Sequence, residues 1–141
     1  MTQTPAFSFA KPGDNAELER GAVFSPKFDA HGLIPAIVTD SRSGEVLMFA
    51  WMNAEALSVS LTSGLAHFWS RSRSKLWKKG EDSGNILIIE DMRTDCDQDA
   101  LLVRVRIEGQ GVACHTGARS CFYRSLTLGS AQPAGSPLFK V

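Results

Sequence analysis

The stretch AIVTDSRSGEVLMFAWMNAEALSVSLTSG, residues 36–64, decides the fold because it holds a strand–turn–strand–helix pattern. Residues 36–39 form a short apolar run, and the polar cluster at residues 40–44 follows it with the composition of a turn. Residues 45–52 are again apolar and aromatic. The two runs therefore predict a β-hairpin.

The same stretch ends in the clearest helix of the sequence. Asn53 is a good N-cap residue, Leu57 and Leu61 follow at helical spacing, and Gly64 stands where a glycine commonly ends a helix. We expect one main helix at about residues 54–63.

Outside this stretch the pattern is mostly that of strands. Residues 66–70 carry two aromatic side chains, and residues 86–90 are β-branched and apolar. Residues 103–107 alternate as VRVRI, the period of a half-buried strand, and residues 122–128 are a final candidate. The sequence predicts an α+β fold, predominantly β, with a twisted, barrel-like sheet and one main helix.

The length of the chain predicts a single domain. At 141 residues and 15.3 kDa it leaves little room for a second. We expect an N-terminal arm at residues 1–22, one domain at residues 23–128 and an irregular tail at residues 129–141. A domain of this size can fold on its own core, so a metal would serve chemistry rather than folding.

Charge and composition argue against several classes of protein. The formal net charge is zero and the pI about 6.8, whereas a general nucleic-acid binder usually carries a positive excess. The N-terminus does not have the pattern of a signal peptide, and no apolar run approaches the roughly 20 residues of a membrane span. Three cysteines, an odd number, do not favour a disulfide framework. We expect a cytoplasmic protein.

Two cysteines bracket the segment CHTGARSC, residues 114–121. If Gly117 lets the loop fold back, Cys114 and Cys121 can face one point, and Cys96 is a candidate for a third thiolate. Zinc takes thiolate and imidazole ligands in a tetrahedron, and a catalytic zinc keeps one position open for water. A free cysteine is also often a small buried hydrophobe. The three together favour a zinc site.

The segment DCDQD, residues 95–99, interleaves three aspartates with Cys96. In a strand, Asp95, Asp97 and Asp99 would share one face and Cys96 would point to the other. Carboxylates suit magnesium or calcium rather than zinc. The alternative is a solvated acidic turn. The interleaved cysteine favours a hard metal on one face and a soft metal on the other.

A basic segment provides a candidate anion site. Residues 71–79 carry five cations and no acid, with serines among them. Arginine, lysine and serine suit phosphate recognition, and Gly80 and Gly84 would let backbone N–H groups approach an anion. The alternative is a basic edge strand kept soluble by its charges.

His115 is either a fourth zinc ligand or a general base. Three thiolates would make zinc a weaker Lewis acid, so a base with a pKa near about 6.5 would be useful. We favour the base. His31 and His67 have no comparable neighbourhood, and we expect them to be structural or surface residues.

Five segments stand out in order along the chain: FAWMN at 49–53, FWSRSR at 68–73, LWKKGEDSGN at 76–85, DCD at 95–97, and ACHTG at 113–117 through SCF at 120–122. Together they resemble the phosphoribosyl-AMP cyclohydrolase family of histidine biosynthesis. The likeness covers roughly residues 33–123, the greater part of the chain. Only about eighteen residues follow Tyr123, so we expect the monofunctional form of the family.

The resemblance implies hydrolysis of the N1–C6 bond in the adenine ring of phosphoribosyl-AMP. It implies Zn²⁺ and Mg²⁺ as cofactors, a phosphorylated nucleotide as the partner molecule, and an intertwined homodimer with shared active sites. Neither a nucleic acid nor a membrane is expected as a partner. Zinc would be held by Cys96 of one subunit and by Cys114 and Cys121 of the other.

The resemblance also assigns the remaining site residues. Magnesium would be held by Asp95, Asp97 and Asp99. His115 would be catalytic, and the substrate would contact Ser70, Arg71, Ser72, Arg73, Lys75, Lys79, Glu81, Ser83 and Arg119. Lys78 stands where many relatives have a histidine, so the roles of Lys78 and Asn85 stay open.

Three other classes stay open from the residues alone. The first is a structural zinc module that binds nucleic acid or protein through residues 71–79. The second is a nucleobase deaminase, although the H-x-E and P-C-x-x-C motifs of that class do not occur. The third is a redox or metal-storage protein.

Overall fold

The computed structural model describes residues 8–129 and 134–141, so parts of the predicted arm and tail lie outside the described residues. In chain order the elements are α1 (Asn15–Arg20), β1 (Ile34–Asp40), β2 (Val46–Met52), α2 (Ala54–Ser63), β3 (His67–Ser70), β4 (Lys75–Lys78), β5 (Leu87–Thr94), β6 (Leu101–Ile107), β7 (Arg124–Ser125) and β8 (Phe139–Lys140).

A four-stranded mixed sheet forms the centre of the protein, in the order β2-β1-β6-β5. The strands β1 and β2 form the predicted antiparallel hairpin, and β1 also pairs with β6 in parallel. The turn of the hairpin is held by Asp40, whose Oδ1 accepts from the N–H groups of Arg42 and Ser43 at 2.9 Å each. The strands β3 and β4 form a separate hairpin.

The helix α2 confirms the predicted main helix. Asn53 Oδ1 accepts from the N–H of Ala56 at 2.8 Å, and Gly64 ends the helix in the left-handed conformation with φ 74°. The spacing of the two leucines predicted the helix but not which of them is buried. Leu57 is fully buried, but Leu61 is 49% exposed, because α2 turns its 56, 57 and 60 positions towards the core.

The core lies between the sheet, α2 and β3. Its fully buried side chains include Ile34 and Val38 of β1, Val103 and Val105 of β6, and Phe68 of β3. Each large apolar side chain removed from water in this way contributes about 1.5–3 kcal/mol. Packing in the core therefore holds the β3–β4 hairpin in place against the sheet and α2.

The structure is α+β and mostly sheet, as predicted, but two details differ. The described residues form three separate sheets rather than a closed barrel. The N-terminal arm is not wholly loose, because residues 15–20 form α1, capped by Asp14 and anchored by the buried Leu18. The apolar periodicity of six residues is too short to have predicted this helix.

Short strands also form in the basic segment, residues 71–79, and in the C-terminal part of the chain. Residues 75–78 form the strand β4, which leaves both interpretations of the basic segment open, the anion site and the basic edge strand. Of the strand predicted at residues 122–128, only the two residues of β7 are assigned to a strand, and they pair with β8 of the predicted tail. No helix in the described part of the chain is long and apolar enough to cross a membrane. The cellular compartment stays a prediction.

Candidate active site

A cleft of about 580 Å³ opens beside the β3–β4 hairpin. Its walls are the end of β3, β4 with the turn that follows it, and the loop at residues 113–121, which we call the cysteine loop. The side chains that line it include three cations, three serines and two acids: Arg73, Lys75, Lys79, Ser70, Ser72, Ser83, Glu81 and Asp82. A cleft of this size accommodates a small organic ligand, and its cations suit an anionic one.

Most of the residues predicted to contact a substrate line this cleft. They are Ser70, Ser72, Arg73, Lys75, Lys79, Glu81 and Ser83, and they are joined by Cys114 and His115 of the cysteine loop. Arg71 is not among the lining residues. Its guanidinium carbon instead lies over the ring of Trp51, 4.9 Å from the ring centroid.

Three further lining residues, Trp77, Asn85 and Gln110, were not predicted as site residues. Asn85 is buried, and its Oδ1 accepts from the N–H of Gln110 at 2.8 Å, so it joins the two sides of the cleft. Gly80 has φ 86°, and a Cβ there would lie 2.4 Å from the backbone carbon of Asn85. Only a glycine fits this close approach. Asn85 belongs to a segment that resembles the family, but its role was left open. No feature of the sequence pointed to Gln110.

The cysteine loop folds back on itself and is bound to β2. The N–H of Cys114 donates to Ala118 O at 3.1 Å, and Gly117 has φ 91°, which confirms the predicted turn. Ser120 Oγ donates to Val46 O at 2.7 Å, and the N–H of Cys121 donates to Leu47 O at 2.7 Å. These bonds bring Cys114 and Cys121 into contact.

Arg119 lies outside the cleft, contrary to the predicted substrate contact. Its Nε donates to Glu45 at 2.8 Å, its Nη2 to the carboxylate of Asp40, and its Nη1 to Gly111 O at 3.3 Å. The Glu45 carboxylate, followed by that of Asp40, raises the pKa of Arg119. Arg119 therefore joins the cysteine loop to the turn of the β1–β2 hairpin.

The two thiols of the cysteine loop differ in acidity. The Thr116 hydroxyl donates to Cys114 Sγ at 3.0 Å and lowers the pKa of Cys114, with smaller contributions from Cys121 and the charge of Lys79. Desolvation and the neighbouring Cys114 together raise the pKa of Cys121. Cys114 is therefore the thiol that loses its proton first, and thiolates are the form that binds zinc.

The segment at residues 95–99, which we call the acidic turn, does not form a strand, so the two faces that a strand would give are not present. The strand β5 ends at Thr94, and Asp95 Oδ1 then accepts from the N–H groups of Asp99 and Ala100 at 2.9 and 3.0 Å. Because the chain turns here, Cys96 does not point away from the aspartates. Ligand atoms of Asp95, Cys96 and Asp97 all lie within 4.8 Å of one another. The expectation that Cys96 and the aspartates lie on opposite faces was therefore wrong, and the two metals stay a prediction.

The carboxylates of the acidic turn are crowded. Hydrogen bonding to Asp97, then to Asp95, raises the pKa of Asp99 to about 6. The same contact with Asp99 lowers the pKa of Asp97. A cation would relieve this repulsion, and donor atoms within 4.8 Å can share one ion at metal–ligand distances of about 2.0–2.6 Å. The donors therefore fit a metal.

Within one chain, Cys96 lies apart from Cys114 and Cys121. It lines a second pocket of about 380 Å³, together with Asp95 and residues 18–24. In the described part of the chain, Asp95, Cys96 and Asp97 are the one group of three or more close metal-ligating atoms, and neither Cys114 nor Cys121 belongs to it. One chain thus presents a thiol pair and a mixed carboxylate–thiol cluster in different places.

The other two histidines occupy the predicted kinds of position. His67 is half-buried in β3, where its Nδ1 hydrogen-bonds to Leu65 O at 2.8 Å. His31 is exposed in a turn. His115 is exposed at the edge of the cleft, next to Cys114. Its position leaves both predicted roles, base and ligand, open.

The fold and the site define the class: a small α+β protein whose cationic cleft ends at a pair of thiols. Residues 48–123 match the model of the phosphoribosyl-AMP cyclohydrolase family. Proteins named phosphoribosyl-AMP cyclohydrolase are similar over most of the chain. The one from Brucella anthropi is 60% identical over 86% of this chain and 86% of its own length, and the one from Chelativorans sp. is 55% identical over 93% and 95%. The one from Agrobacterium fabrum is 59% identical over 83% and 78%.

The chain belongs to the phosphoribosyl-AMP cyclohydrolase family, a family of hydrolases. The resemblance found in the sequence is therefore confirmed. A structural zinc module, a nucleobase deaminase and a redox protein are not the class that these comparisons indicate.

Proposed function

We propose that this protein hydrolyses phosphoribosyl-AMP in histidine biosynthesis, opening the adenine ring at the N1–C6 bond. The observation that carries the proposal is the cleft itself, where cations and hydroxyls lie along one wall and Cys114 and His115 lie at another. Membership of the family supplies the substrate.

The cleft residues bind and orient the nucleotide. Arg73, Lys75 and Lys79 contact the phosphates as charged donors, and Ser70 and Ser83 add neutral ones. Binding the phosphates at the hairpin holds the adenine ring over the cysteine loop, which removes the entropic cost of aligning the reacting atoms in each turnover.

The two metals are part of this proposal. Zinc would be held by Cys114 and Cys121 of one chain and by Cys96 of a second copy, and magnesium would be held by Asp95, Asp97 and Asp99. The thiolate donors suit zinc and the carboxylates suit magnesium. When bound, the zinc would lower the pKa of a coordinated water, so that a nucleophile exists near neutral pH.

His115 acts as the general base. It lies at the edge of the cleft next to Cys114, one of the thiols that would hold zinc, so its imidazole would be near the water that attacks C6. It accepts the proton as the water oxygen bonds to C6, and it returns the proton to N1 as the N1–C6 bond breaks. The product keeps both ring fragments joined through the imidazole, with a formamidino group on one side.

A second copy of the chain completes the site in this proposal. The outer side of the β1–β2 hairpin exposes apolar side chains that a monomer would leave in water, among them Ile37, Val46 and Phe49. Contiguous exposed apolar residues are typical of interaction sites. Because Cys96 lies apart from the thiol pair within one chain, a homodimer with shared sites accounts for both observations.

The activity is tested by incubating the purified protein with phosphoribosyl-AMP and following ring opening by near-ultraviolet absorbance, with and without a zinc chelator. We expect turnover that the chelator abolishes and added zinc restores. An absence of any chelator-sensitive change would refute the proposed function.

The shared site is tested by mixing two inactive variants, Cys96→Ser and Cys114→Ser. In a mixed dimer one of the two sites keeps all three thiols, so random exchange of subunits should restore about a quarter of the wild-type activity. If each variant is inactive and the mixture stays inactive under conditions where subunits exchange, the zinc set does not cross between chains.

A further inference from the structure

The acidic turn is held in place by one buried residue, Gln98. Four of its five members are exposed or half-buried, whereas Gln98 is only 4% exposed. Its backbone has φ 60°, a left-handed conformation that costs energy for a residue with a side chain. Such a conformation persists only where its surroundings enforce it.

Gln98 makes three hydrogen bonds to a segment far away in the sequence, residues 18–27. Its Nε2 donates to Leu18 O at 3.0 Å, and its Oε1 accepts from the N–H of Ser25 at 2.7 Å. Its own backbone oxygen accepts from the N–H of Lys27 at 2.7 Å. Both ends of the amide and the main chain are therefore paired with one segment.

The N-terminal segment is itself packed against the core, so it can serve as an anchor. Leu18 is buried, and Phe24 packs edge-on against Phe9 with ring centroids 5.7 Å apart. Phe24 and Phe28 also pack against the core cluster. The pocket of about 380 Å³ that contains Asp95 and Cys96 has this segment as its other wall.

We propose that Gln98 is a positioning residue for the metal-binding atoms of Asp95, Cys96 and Asp97, acting through the N-terminal segment. This inference rests on the proposed metal role of the acidic turn. The pairing of Thr94 with Leu101 holds the two ends of the turn, and the bonds of Gln98 hold its left-handed fourth residue against the N-terminal segment. Without those bonds the turn can relax around residue 98, so the three donor atoms lose their common orientation and metal affinity falls.

The test uses the full-length protein with Gln98→Ala and Gln98→Gly. The glycine variant removes the side chain while accepting the left-handed backbone, so it remains informative if the alanine variant fails to fold. Mg²⁺ affinity is measured by calorimetry, and Zn²⁺ affinity by competition with a chromophoric chelator. Hydrogen exchange of residues 18–27 is recorded on the same samples.

Ser60→Ala is the matched control, because Ser60 is equally buried and its hydroxyl bridges two elements, bonding both the N–H and the oxygen of His67. We expect both Gln98 variants to bind Mg²⁺ about 10- to 100-fold more weakly and to exchange faster at residues 18–27. Ser60→Ala should lower the melting temperature while leaving both affinities unchanged.

The inference is overturned if a folded Gln98 variant binds the metal as tightly as the wild type. It is also overturned if Ser60→Ala loses as much metal affinity as the Gln98 variants, because the effect would then reflect general stability. Failure of the wild-type protein to bind either ion also overturns it. The binding and exchange measurements need no substrate, so a wild-type protein that binds metal but does not hydrolyse phosphoribosyl-AMP refutes the proposed function alone.

Discussion

The cysteine loop and the acidic turn both carry metal-binding groups, but different kinds of contact hold them in place. The cysteine loop is bound to β2 by backbone and serine hydrogen bonds, and to the turn of the β1–β2 hairpin by the ion pairs of Arg119 with Asp40 and Glu45. The acidic turn is held by the buried amide of Gln98 against the N-terminal segment. One opens into the large cleft and the other into a separate pocket.

Under the proposed function, this difference means that each region alone supplies only part of the catalytic site. The cysteine loop lies beside the cationic wall of the cleft, but it contributes only two thiols. The acidic turn contributes a third thiol and the carboxylates, but it does not line that cleft. The comparison therefore predicts that the two regions bind metal independently within a chain and cooperate only in an assembly.

The largest effect should come from Cys114→Ser. It removes the thiol with the lower pKa, so zinc binding at the cysteine loop and turnover should both fall to background. Metal content is measured by atomic absorption and activity by absorbance. Mg²⁺ affinity at the acidic turn should be unchanged, and a parallel loss of Mg²⁺ binding would show that the two regions are not independent. Retention of stoichiometric zinc with full activity would contradict the zinc assignment.

His115→Ala should lower kcat by about 10²- to 10⁴-fold and leave zinc bound, because the base is lost while the thiolates remain. Zinc content and kcat are measured on the same preparation. His31→Ala is the control, since His31 is exposed in a turn that does not line the cleft. Loss of zinc from His115→Ala would instead make His115 a ligand of the cysteine loop.

Arg119→Ala should weaken zinc binding by about 10- to 100-fold, because the loop loses its link to the hairpin while its thiols remain. Zinc affinity is measured by chelator competition. Arg106→Ala is the matched control, because Arg106 of β6 is equally exposed and makes comparable ion pairs with Glu90 of β5 and with Glu108. Equal affinities in the two variants would show that the ion pairs of Arg119 do not orient the loop.

The smallest effect concerns acid stability. The N–H of Ser43, together with Arg119, holds the pKa of Asp40 below its ordinary value of 3.8. The stabilisation from this carboxylate is therefore present above about pH 4 and is lost as the pH falls through the lower folded-state pKa. Asp40→Asn should be less stable than the wild type at pH 7, with the difference shrinking below about pH 4. Urea unfolding from pH 7 to 2.5 measures this, and a constant difference would contradict it.

Local patterns in the sequence predicted the local structure. The β1–β2 hairpin, the ends of α2 and the turn at Gly117 follow from apolar runs, a cap residue and glycines, which act within a few residues. The pattern failed at Leu61, because helical spacing says which residues share a side but not how the helix is turned towards the core.

How the residues of the candidate site are arranged in space was harder to predict from the sequence. Residues 95–99 would have two faces only in a strand, but β5 ends at Thr94, and the turn that follows brings Cys96 beside Asp95 and Asp97 rather than opposite them. Arg119 was expected at a phosphate and instead pairs with carboxylates more than seventy residues away in the sequence. Such partners cannot be found from the segment itself.

The sequence by itself determined the composition of the site: three cysteines, three aspartates, a histidine and a run of cations in segments that resemble one family of hydrolases. Only the tertiary structure decided which of these groups meet. Cys114 and Cys121 come together through bonds to β2, Cys96 is held elsewhere, and Gln98 fixes the acidic turn to residues 18–27. The physical reason is that ligand chemistry belongs to individual side chains, whereas their geometry depends on long-range contacts made when the whole chain folds.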